Sequence, residues 1–256
     1  MKLLRILFVA GVLLVTATAH AEKITVAAAS DLKFAMDEIV AGFKKSHPGN
    51  DVEVVFGSSG KFHTQIRQGA PYDMFFSADI GYPRELAKQG LAASDVKPYA
   101  VGRIVLWSNS MDAKRMTLAS LAGPNITRIV IANPKHAPYG KRAQEALQAS
   151  GLWESLQSKL VFGESISHAT QFVQTGNAQV GIIALSLAVN PELAHKGGYY
   201  LIPENLHTPL EQGYVITRRG ENKPLAKRFS EYMGSKQSRG VMTKYGFVLP
   251  GEKAGM

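Results

Sequence analysis

Short apolar segments alternate with amphipathic helices along most of the chain, and this alternation constrains the fold more than any other feature. The segment KITVAAA at Lys23–Ala29 has the composition of a buried strand, and the helix predicted after it places Leu32, Met36 and Phe43 on one face. Strand and helix patterns then alternate to the end of the chain, about ten times in all. A chain of 256 residues with this pattern is predicted to fold as two small α/β lobes with mostly parallel sheets and flanking helices.

The N-terminus has the three parts of a secretory signal. Lys2 and Arg5 precede the apolar run ILFVAGVLLVTATA, and the small residues of Ala19–Ala21 follow where a signal peptidase cleaves. The apolar run is short for a membrane-spanning helix, so a permanent anchor is the weaker alternative. We predict that residues 1–21 are a cleaved signal peptide, that Glu22 begins the mature chain and that the protein is periplasmic.

Charge and cysteine content narrow the class of protein further. Lys and Arg number 29 against 20 Asp and Glu, a formal net charge of +9, but the basic residues are scattered and do not cluster with aromatic residues. This pattern matches no known nucleic-acid-binding module, and we expect no nucleic-acid partner. The chain has no cysteine, so it forms no disulfide and carries no lipid on an N-terminal cysteine, and an ordinary core must stabilise it.

Four of the predicted strands end in turns of small or hydroxyl-bearing residues that open a helix. These turns are centred on Ser30, Ser58–Ser59, Pro138–Gly140 and Ser165–Ser167. In a parallel sheet such turns meet at the carboxyl edge of the strands, where ligands of open α/β sheets bind. The unpaired N–H groups and the dipole of a helix start attract anions, and hydroxyls add further donors. One serine can simply cap a helix, but four such turns together predict a site for a small oxyanion.

The turn GSSGK at Gly57–Lys61 suggests two other kinds of site, and its spacing fits neither. A nucleotide phosphate loop would need glycine where Val55 stands and a hydroxyl residue where Phe62 stands. A nucleophile elbow needs Gly-x-Ser-x-Gly, and this turn is one residue short. The histidines are not paired at metal-ligand spacing. We therefore expect no catalytic residue, no metal site and no enzymatic activity.

Several segments, taken in order, are specific to one family. The segments ITVAAAS, FGSSGKFHTQIRQGAPYDMFFSAD, GRIVLW, NPKHAPYGKRAQEAL and KYGFVLP resemble the periplasmic molybdate-binding proteins of ABC importers. The resemblance covers essentially the whole mature chain and implies a two-lobe type II periplasmic-binding-protein fold with the ligand cleft between the lobes. It implies capture of molybdate, and also of tungstate, without a cofactor, and delivery to the membrane permease and ATPase subunits of an importer. We expect the protein to be a monomer.

The resemblance also supports a discontinuous first lobe, which periodicity alone does not show. We expect the first crossing between lobes near Tyr99–Arg103 and the return crossing near Thr217–Glu221. These positions predict a lobe I of residues 22–102 plus about 220–256, and a lobe II of about 103–219.

The ligand-binding positions of the family transfer onto the four turns. The serine of the first turn corresponds to Ser30 and that of the second turn to Ser59, with Ser58 beside it as an additional candidate. In the second lobe the helix start corresponds to Tyr139. Some family members have a small residue there and contribute only its amide, whereas others have a tyrosine that also contributes its hydroxyl. The fourth contact, a backbone amide of an apolar residue, corresponds to Ile166. The resemblance thus implies a ligand held by hydroxyls and amides, with no metal beyond the molybdenum of the oxyanion.

Two positions depart from the family pattern. Ala184 stands where some members use a tyrosine hydroxyl, a loss that the phenol of Tyr139 can offset. Asp31, a further candidate ligand, follows Ser30 where a neutral residue would repel a dianion less. Its amide can donate while its carboxylate turns outward, or its carboxylate can face the ligand. An inward carboxylate would accept the proton of hydrogen phosphate and repel a fully ionised anion. An inward Asp31 would thus favour phosphate. The alternative ligands as a class are other oxyanions: phosphate, sulfate or chromate.

Overall fold

The structure, a computed structural model, describes residues 22–195 and 197–252; the predicted signal peptide at 1–21 lies outside them. The described residues form ten strands: β1 (Lys23–Ala29), β2 (Asp51–Gly57), β3 (Met74–Ser77), β4 (Lys97–Gly102), β5 (Ile104–Trp107), β6 (Ile129–Ala132), β7 (Leu160–Gly163), β8 (Val180–Ala184), β9 (Tyr199–Leu201) and β10 (Leu210–Ile216). They also form ten α-helices: α1 (Lys33–Ser46), α2 (Ser59–Arg67), α3 (Gly81–Lys88), α4 (Pro138–Ala149), α5 (Trp153–Leu156), α6 (Ile166–Gln174), α7 (Leu185–Ala188), α8 (Pro191–Ala194), α9 (Pro224–Met233) and α10 (Lys236–Lys244).

The strands form two separate five-stranded sheets, in the orders β2-β1-β3-β10-β4 and β7-β6-β8-β5-β9. In the first sheet β2, β1 and β3 are parallel, β10 runs antiparallel to β3, and β4 runs antiparallel to β10. In the second sheet β7, β6 and β8 are parallel, β5 is reversed, and β9 runs antiparallel to β5. Each described sheet therefore has a single reversed strand, and the predicted α/β fold with mostly parallel sheets and flanking helices is confirmed.

The chain crosses between the two sheets twice, and each crossing leads into a reversed strand. The strand β4 ends at Gly102 and β5 begins at Ile104, so Arg103 alone joins the two sheets at the first crossing. The return crossing lies between Leu201, where β9 ends, and Leu210, where β10 begins. The two connections lie beside each other, because Gly102 pairs with Leu210 and Val105 pairs with Leu201.

The return crossing differs from the position expected near residues 217–221. The range of about 103–219 expected for lobe II includes β10, but the pairing of β10 with β3 and β4 places it in the first sheet. An apolar strand carries no mark of the sheet that it joins, so composition could not reveal this pairing. We propose that lobe I comprises residues 22–102 and 210–252, and that lobe II comprises residues 103–209.

Each sheet has its own apolar core. All residues of β3, β5 and β6 are buried, which accounts for their near-continuous apolar sequences. Trp107 is fully buried in the core around the second sheet, and Phe76 packs edge-on against Phe229 in the core of the first. Helix α1 buries Met36 and Phe43, on the face that the sequence predicts. Within the described residues, no helix is both long and apolar enough to cross a membrane.

The packing of α4 against β6 leaves no room for a side chain at position 140. A Cβ atom on Gly140 would lie 2.0 Å from the carbonyl oxygen of Ala132, a backbone atom that cannot move unless β6 shifts. We expect Gly140→Ala to lower the free energy of unfolding by at least about 1 kcal/mol, measured by urea denaturation of the anion-stripped protein. Gly240→Ala is the matched control, because the Cβ position of this exposed residue in α10 meets nothing within 4 Å and alanine is the better helix former. A Gly140→Ala protein as stable as the wild type would contradict this packing.

Candidate functional site

The carboxyl ends of strands from both sheets meet at one small cavity, and the predicted site residues gather there. The cavity is small, with about 10 Å³ of space for the centre of a water-sized sphere. Its lining includes all six residues that the sequence predicts: Ser30, Asp31, Ser58, Ser59, Tyr139 and Ile166. The other lining residues are small: Ala29, Gly57, Ala78, Ala137 and Pro138. A small ligand can therefore approach the backbone of both sheets closely.

Three of the turns around the cavity are the first turns of α-helices. The helices α2, α4 and α6 begin at Ser59, Pro138 and Ile166, each after a residue with an extended backbone. A helix has no internal acceptor for the N–H groups of its first turn. Since Pro138 has no N–H, Tyr139 supplies the first amide donor of α4, and Ile166 supplies that of α6. The site therefore combines amide donors with the positive ends of three helix dipoles.

Two serine hydroxyls are held in place by main-chain donors. Ser59 Oγ accepts the N–H of Ala78 at 3.0 Å, and Ser30 Oγ accepts the N–H of Ser167 at 3.2 Å. Both serines are buried, and the second of these bonds joins the turn after β1 to α6 across the cleft. Because each hydroxyl acts as an acceptor toward the protein, its own O–H is available as a donor to a ligand.

The neighbouring Ser58 is engaged differently. Its hydroxyl donates to the main-chain carbonyl oxygen of His136 and lies 3.0 Å from His136 Nδ1. The N–H of Gly60 donates to the same carbonyl oxygen at 2.9 Å. These bonds connect the start of α2 to the loop before α4, so the proton of Ser58 holds the two lobes together instead of facing a ligand.

The carboxyl group of Asp31, whose direction the sequence left open, faces inward. The residue is 1 % exposed, and its Oδ2 accepts the hydroxyl of Tyr139 at 3.0 Å and Nε2 of Gln212 at 2.9 Å. Nε2 of Gln212 also donates to the hydroxyl oxygen of Tyr139 at 3.1 Å. Since the phenol proton of Tyr139 is directed at Asp31, the amide of Tyr139 is the donor that remains for a ligand. The phenol therefore does not replace the hydroxyl that is missing at Ala184.

Gln212 is the one member of this cluster that sequence reasoning missed. It is fully buried in β10. Side chains alternate along a strand, so Gln212 lies on the same face as the buried residues Leu210 and Tyr214. A polar residue at an inward position of an apolar strand was the available signal.

Burial dominates the electrostatics of this cluster. It raises the pKa of Asp31 to about 6, and hydrogen bonds from Gln212, from Tyr139 and from the main-chain amides of Asp31 and Leu32 oppose that rise. Burial also raises the pKa of Tyr139 well above its usual range, and the adjacent Asp31 carboxylate adds to the rise. The phenol is therefore neutral at physiological pH, whereas the carboxyl group changes its protonation close to neutrality.

Charged pairs join the two lobes at the rim of the cleft. Lys61, in α2, donates to Glu164 in the turn before α6, so its ammonium group is paired at the rim. Arg142, in α4, is buried and lies 3.7 Å from Asp79 of the first lobe. An exposed pair such as the first contributes little stability. The pairs nonetheless show a cleft whose two sides are in contact around the cavity.

Other features of the described residues do not combine donors in this way. A larger groove, of about 390 Å³ on the same measure, lies near Tyr214, Arg239 and Met242 on the first lobe alone. The small cavity is the better candidate because both sheets contribute to it. Across the described residues, no group of three or more His, Asp or Glu side chains is placed to hold a metal ion.

Comparisons with known proteins identify the family. The model of the family described as bacterial extracellular solute-binding protein matches residues 24–248. The molybdate-binding protein of Rhodobacter capsulatus is 37% identical over 235 residues, which cover 90% of this chain and 90% of that protein. The molybdate-binding protein of Azotobacter vinelandii is 36% identical over 249 residues, which cover 97% of this chain and 98% of that protein.

A solved structure shares the fold. The periplasmic molybdate-binding protein of Azotobacter vinelandii superimposes with a TM-score of 0.84 at 32% identity, covering 89% of this chain and 99% of that one. The resemblance predicted from the sequence is thereby confirmed. The chain belongs to the family of bacterial extracellular solute-binding proteins, together with these relatives.

Proposed function

We propose that the protein binds molybdate in the cavity between its two sheets and delivers it to an ABC importer. Support comes from the relatives, which are named molybdate-binding proteins, one of them periplasmic. On this proposal the protein is a periplasmic solute-binding protein without catalytic activity or cofactor, and it also binds tungstate. Its partners are the permease and ATPase subunits of the importer, and it acts as a monomer.

The observation that carries the proposal is the convergence of hydrogen-bond donors from both sheets on one small cavity. The donors would be the hydroxyls of Ser30 and Ser59 and the amides of Tyr139 and Ile166. Molybdate is fully deprotonated at neutral pH, so it requires donors only, and bonds to a charged acceptor are stronger than neutral ones. The helix starts favour negative charge without a bound cation.

Cavity size would set the selectivity among tetrahedral dianions. Molybdenum–oxygen bonds are longer than sulfur–oxygen bonds, so sulfate would leave some buried donors without a close acceptor, which is unfavourable. A hinge motion at the two crossings would bring the donors of both lobes onto the anion. The bound anion would thereby stabilise the closed form for recognition by the importer.

A competition experiment tests the proposed function. The anion-stripped mature protein is mixed with equal concentrations of molybdate and sulfate, and in a separate sample with equal concentrations of molybdate and phosphate, because sulfate and phosphate adducts have the same nominal mass. Native mass spectrometry then identifies the adduct in each sample. We expect an adduct of one molybdate per chain. A protein that forms no adduct with any of the three anions would contradict an oxyanion-binding function.

The inward carboxyl group of Asp31 favours a second candidate, which is binding of a protonated oxyanion such as hydrogen phosphate. An ionised Asp31 would accept a hydrogen bond from the proton of that ligand, whereas it would only repel an oxyanion that carries no proton. In the competition experiment, a phosphate adduct without a molybdate adduct would select this candidate.

A further inference from the structure

The buried carboxyl group beside the cavity has an unbalanced set of hydrogen bonds. Oδ2 of Asp31 accepts from the hydroxyl of Tyr139 and from the amide nitrogen of Gln212. Oδ1 of Asp31 is buried and makes no hydrogen bond of good geometry among the described residues, although the main-chain amides of Asp31 and Leu32 lie close to the carboxyl group. Oε1 of Gln212 is likewise buried without a partner there. Two buried acceptors that lack a donor are unfavourable. A proton on Oδ1 of Asp31 would turn one of them into a donor.

The position of this carboxyl group is a second, independent observation. Asp31 lines the same cavity as Ser30 and Ile166, so an anion bound there is its neighbour. Two negative groups in one buried site disfavour each other, and a carboxylate responds by taking up a proton. Because Tyr139 covers the carboxyl group from the other lobe, closure of the cleft encloses Asp31 and the anion together.

Building on the proposed function, we propose that Asp31 takes up one proton from the solvent when molybdate binds. The proton is bound at Oδ1, so that the neutral acid borders the closed site, and it leaves when the anion leaves. Capture is therefore coupled to pH, and the affinity for a dianion falls as the pH rises. Asp31 also determines selectivity, because only its protonated form accepts a fully ionised ligand.

The side chains that face the carboxyl group in the described residues are uncharged. Two of them donate hydrogen bonds that favour its ionised form, but none is a cation that would hold it ionised. They are Tyr139 from α4, Gln212 from β10 and Tyr99 from β4, and burial raises the pKa of both phenols well above the usual range. The protein alone raises the pKa of Asp31 to about 6, and a bound dianion raises it further. Binding is therefore accompanied by proton uptake at pH values between the pKa of Asp31 in the free protein and its higher pKa in the complex. Affinity is highest below about pH 6 and decreases through this window.

Titratable side chains on the other adjoining elements are engaged elsewhere. Lys33 in α1 is paired with Asp37 at the surface. His168 in α6 accepts the N–H of Glu164 through Nδ1. From α7, Ser186 donates to the main-chain carbonyl oxygen of Asp31 and leaves the carboxyl group untouched. His136, in the loop before α4, lies 3.0 Å from Ser58 Oγ, and burial lowers its pKa, so it is mostly neutral above pH 6.5. The pH dependence is therefore assigned to Asp31.

Calorimetric titration of the mature protein with molybdate tests the proposal. Titrations at one pH in two buffers with different heats of ionisation count the protons taken up, and a series from about pH 6.5 to 8 gives the pH dependence. Molybdate stays a dianion over this range, so a slope reports on the protein. We expect uptake of about one proton per anion near pH 7.5, and a dissociation constant that rises up to about tenfold per pH unit.

Two variants complete the test. In Asp31→Asn we expect no proton uptake and a flat pH profile, whereas the surface control Asp37→Asn should keep the wild-type slope. Molybdate binding by the wild type without proton uptake would overturn the proposal, and so would a wild-type slope in Asp31→Asn. If Asp31→Asn does not fold, the proton count of the wild type decides alone. A wild type that binds phosphate but no molybdate at any pH would instead overturn the proposed function, and the proton uptake with it.

Discussion

Replacing Ile166 with proline is expected to weaken molybdate binding by roughly 10- to 150-fold, because it deletes an amide donor to a charged ligand. Ile166 is the first residue of α6, a position where proline is tolerated. The preceding residue, Ser165, has φ −145° and ψ 172°, an extended conformation close to the one required before proline. The helix should therefore form while the N–H is lost. Calorimetric dissociation constants measure the effect.

The variant Ile166→Ala separates the amide from the side chain. It removes most of the same buried apolar side chain but retains the N–H, so its dissociation constant should stay near that of the wild type. The free energies of unfolding of both variants, measured without anion, show how much stability each variant loses through its altered packing alone. Equal losses of affinity in the two variants would contradict a role for the amide of Ile166.

Ser59→Ala is expected to weaken molybdate binding by about 1 to 3 kcal/mol, the cost of removing a donor from a buried charge. The bond from the N–H of Ala78 to Ser59 Oγ, at 3.0 Å, fixes the hydroxyl and leaves its proton for the ligand. The variant also leaves that N–H without its acceptor, so the free energy of unfolding must be measured alongside the affinity. An unchanged dissociation constant would refute the assignment of Ser59.

Ser58→Ala provides the comparison within the same turn. The hydroxyl of Ser58 donates to the main-chain carbonyl oxygen of His136 in the other lobe. Its loss should therefore destabilise the closed state, but it should not remove a donor to the ligand. We expect a smaller loss of affinity than in Ser59→Ala. A larger loss in Ser58→Ala would exchange the roles of the two serines.

Local pattern was sufficient to predict much of the fold and the four turns of the candidate site, and the family resemblance supplied the individual residues. The segment Lys23–Ala29 forms the strand that its apolar composition predicts, and the turns at Ser30, Ser59 and Ile166 line one cavity. This succeeded because apolar runs and helix starts are encoded by neighbouring residues. Whether the site residues act as ligands is still a prediction that the variants above address.

Features that depend on contacts between distant residues were not predictable in this way. The pairing of β10 with β3 and β4 is decided by the two sheets, and nothing in its local sequence marks it. Similarly, Asp31 meets Tyr139 and Gln212 across separations of 108 and 181 residues. The direction of the carboxyl group follows from those partners. The local sequence offered only a polar residue after Ser30 and another within an apolar strand.

Parallel calorimetric titration of the anion-stripped mature protein with molybdate, tungstate, sulfate and phosphate tests the proposed function most directly. Tight binding of molybdate and tungstate, with little or no heat from sulfate and phosphate, is the expected result. Phosphate binding without a response to molybdate would contradict the proposed ligand and would mean that Asp31 acts as an ionised acceptor in the cleft.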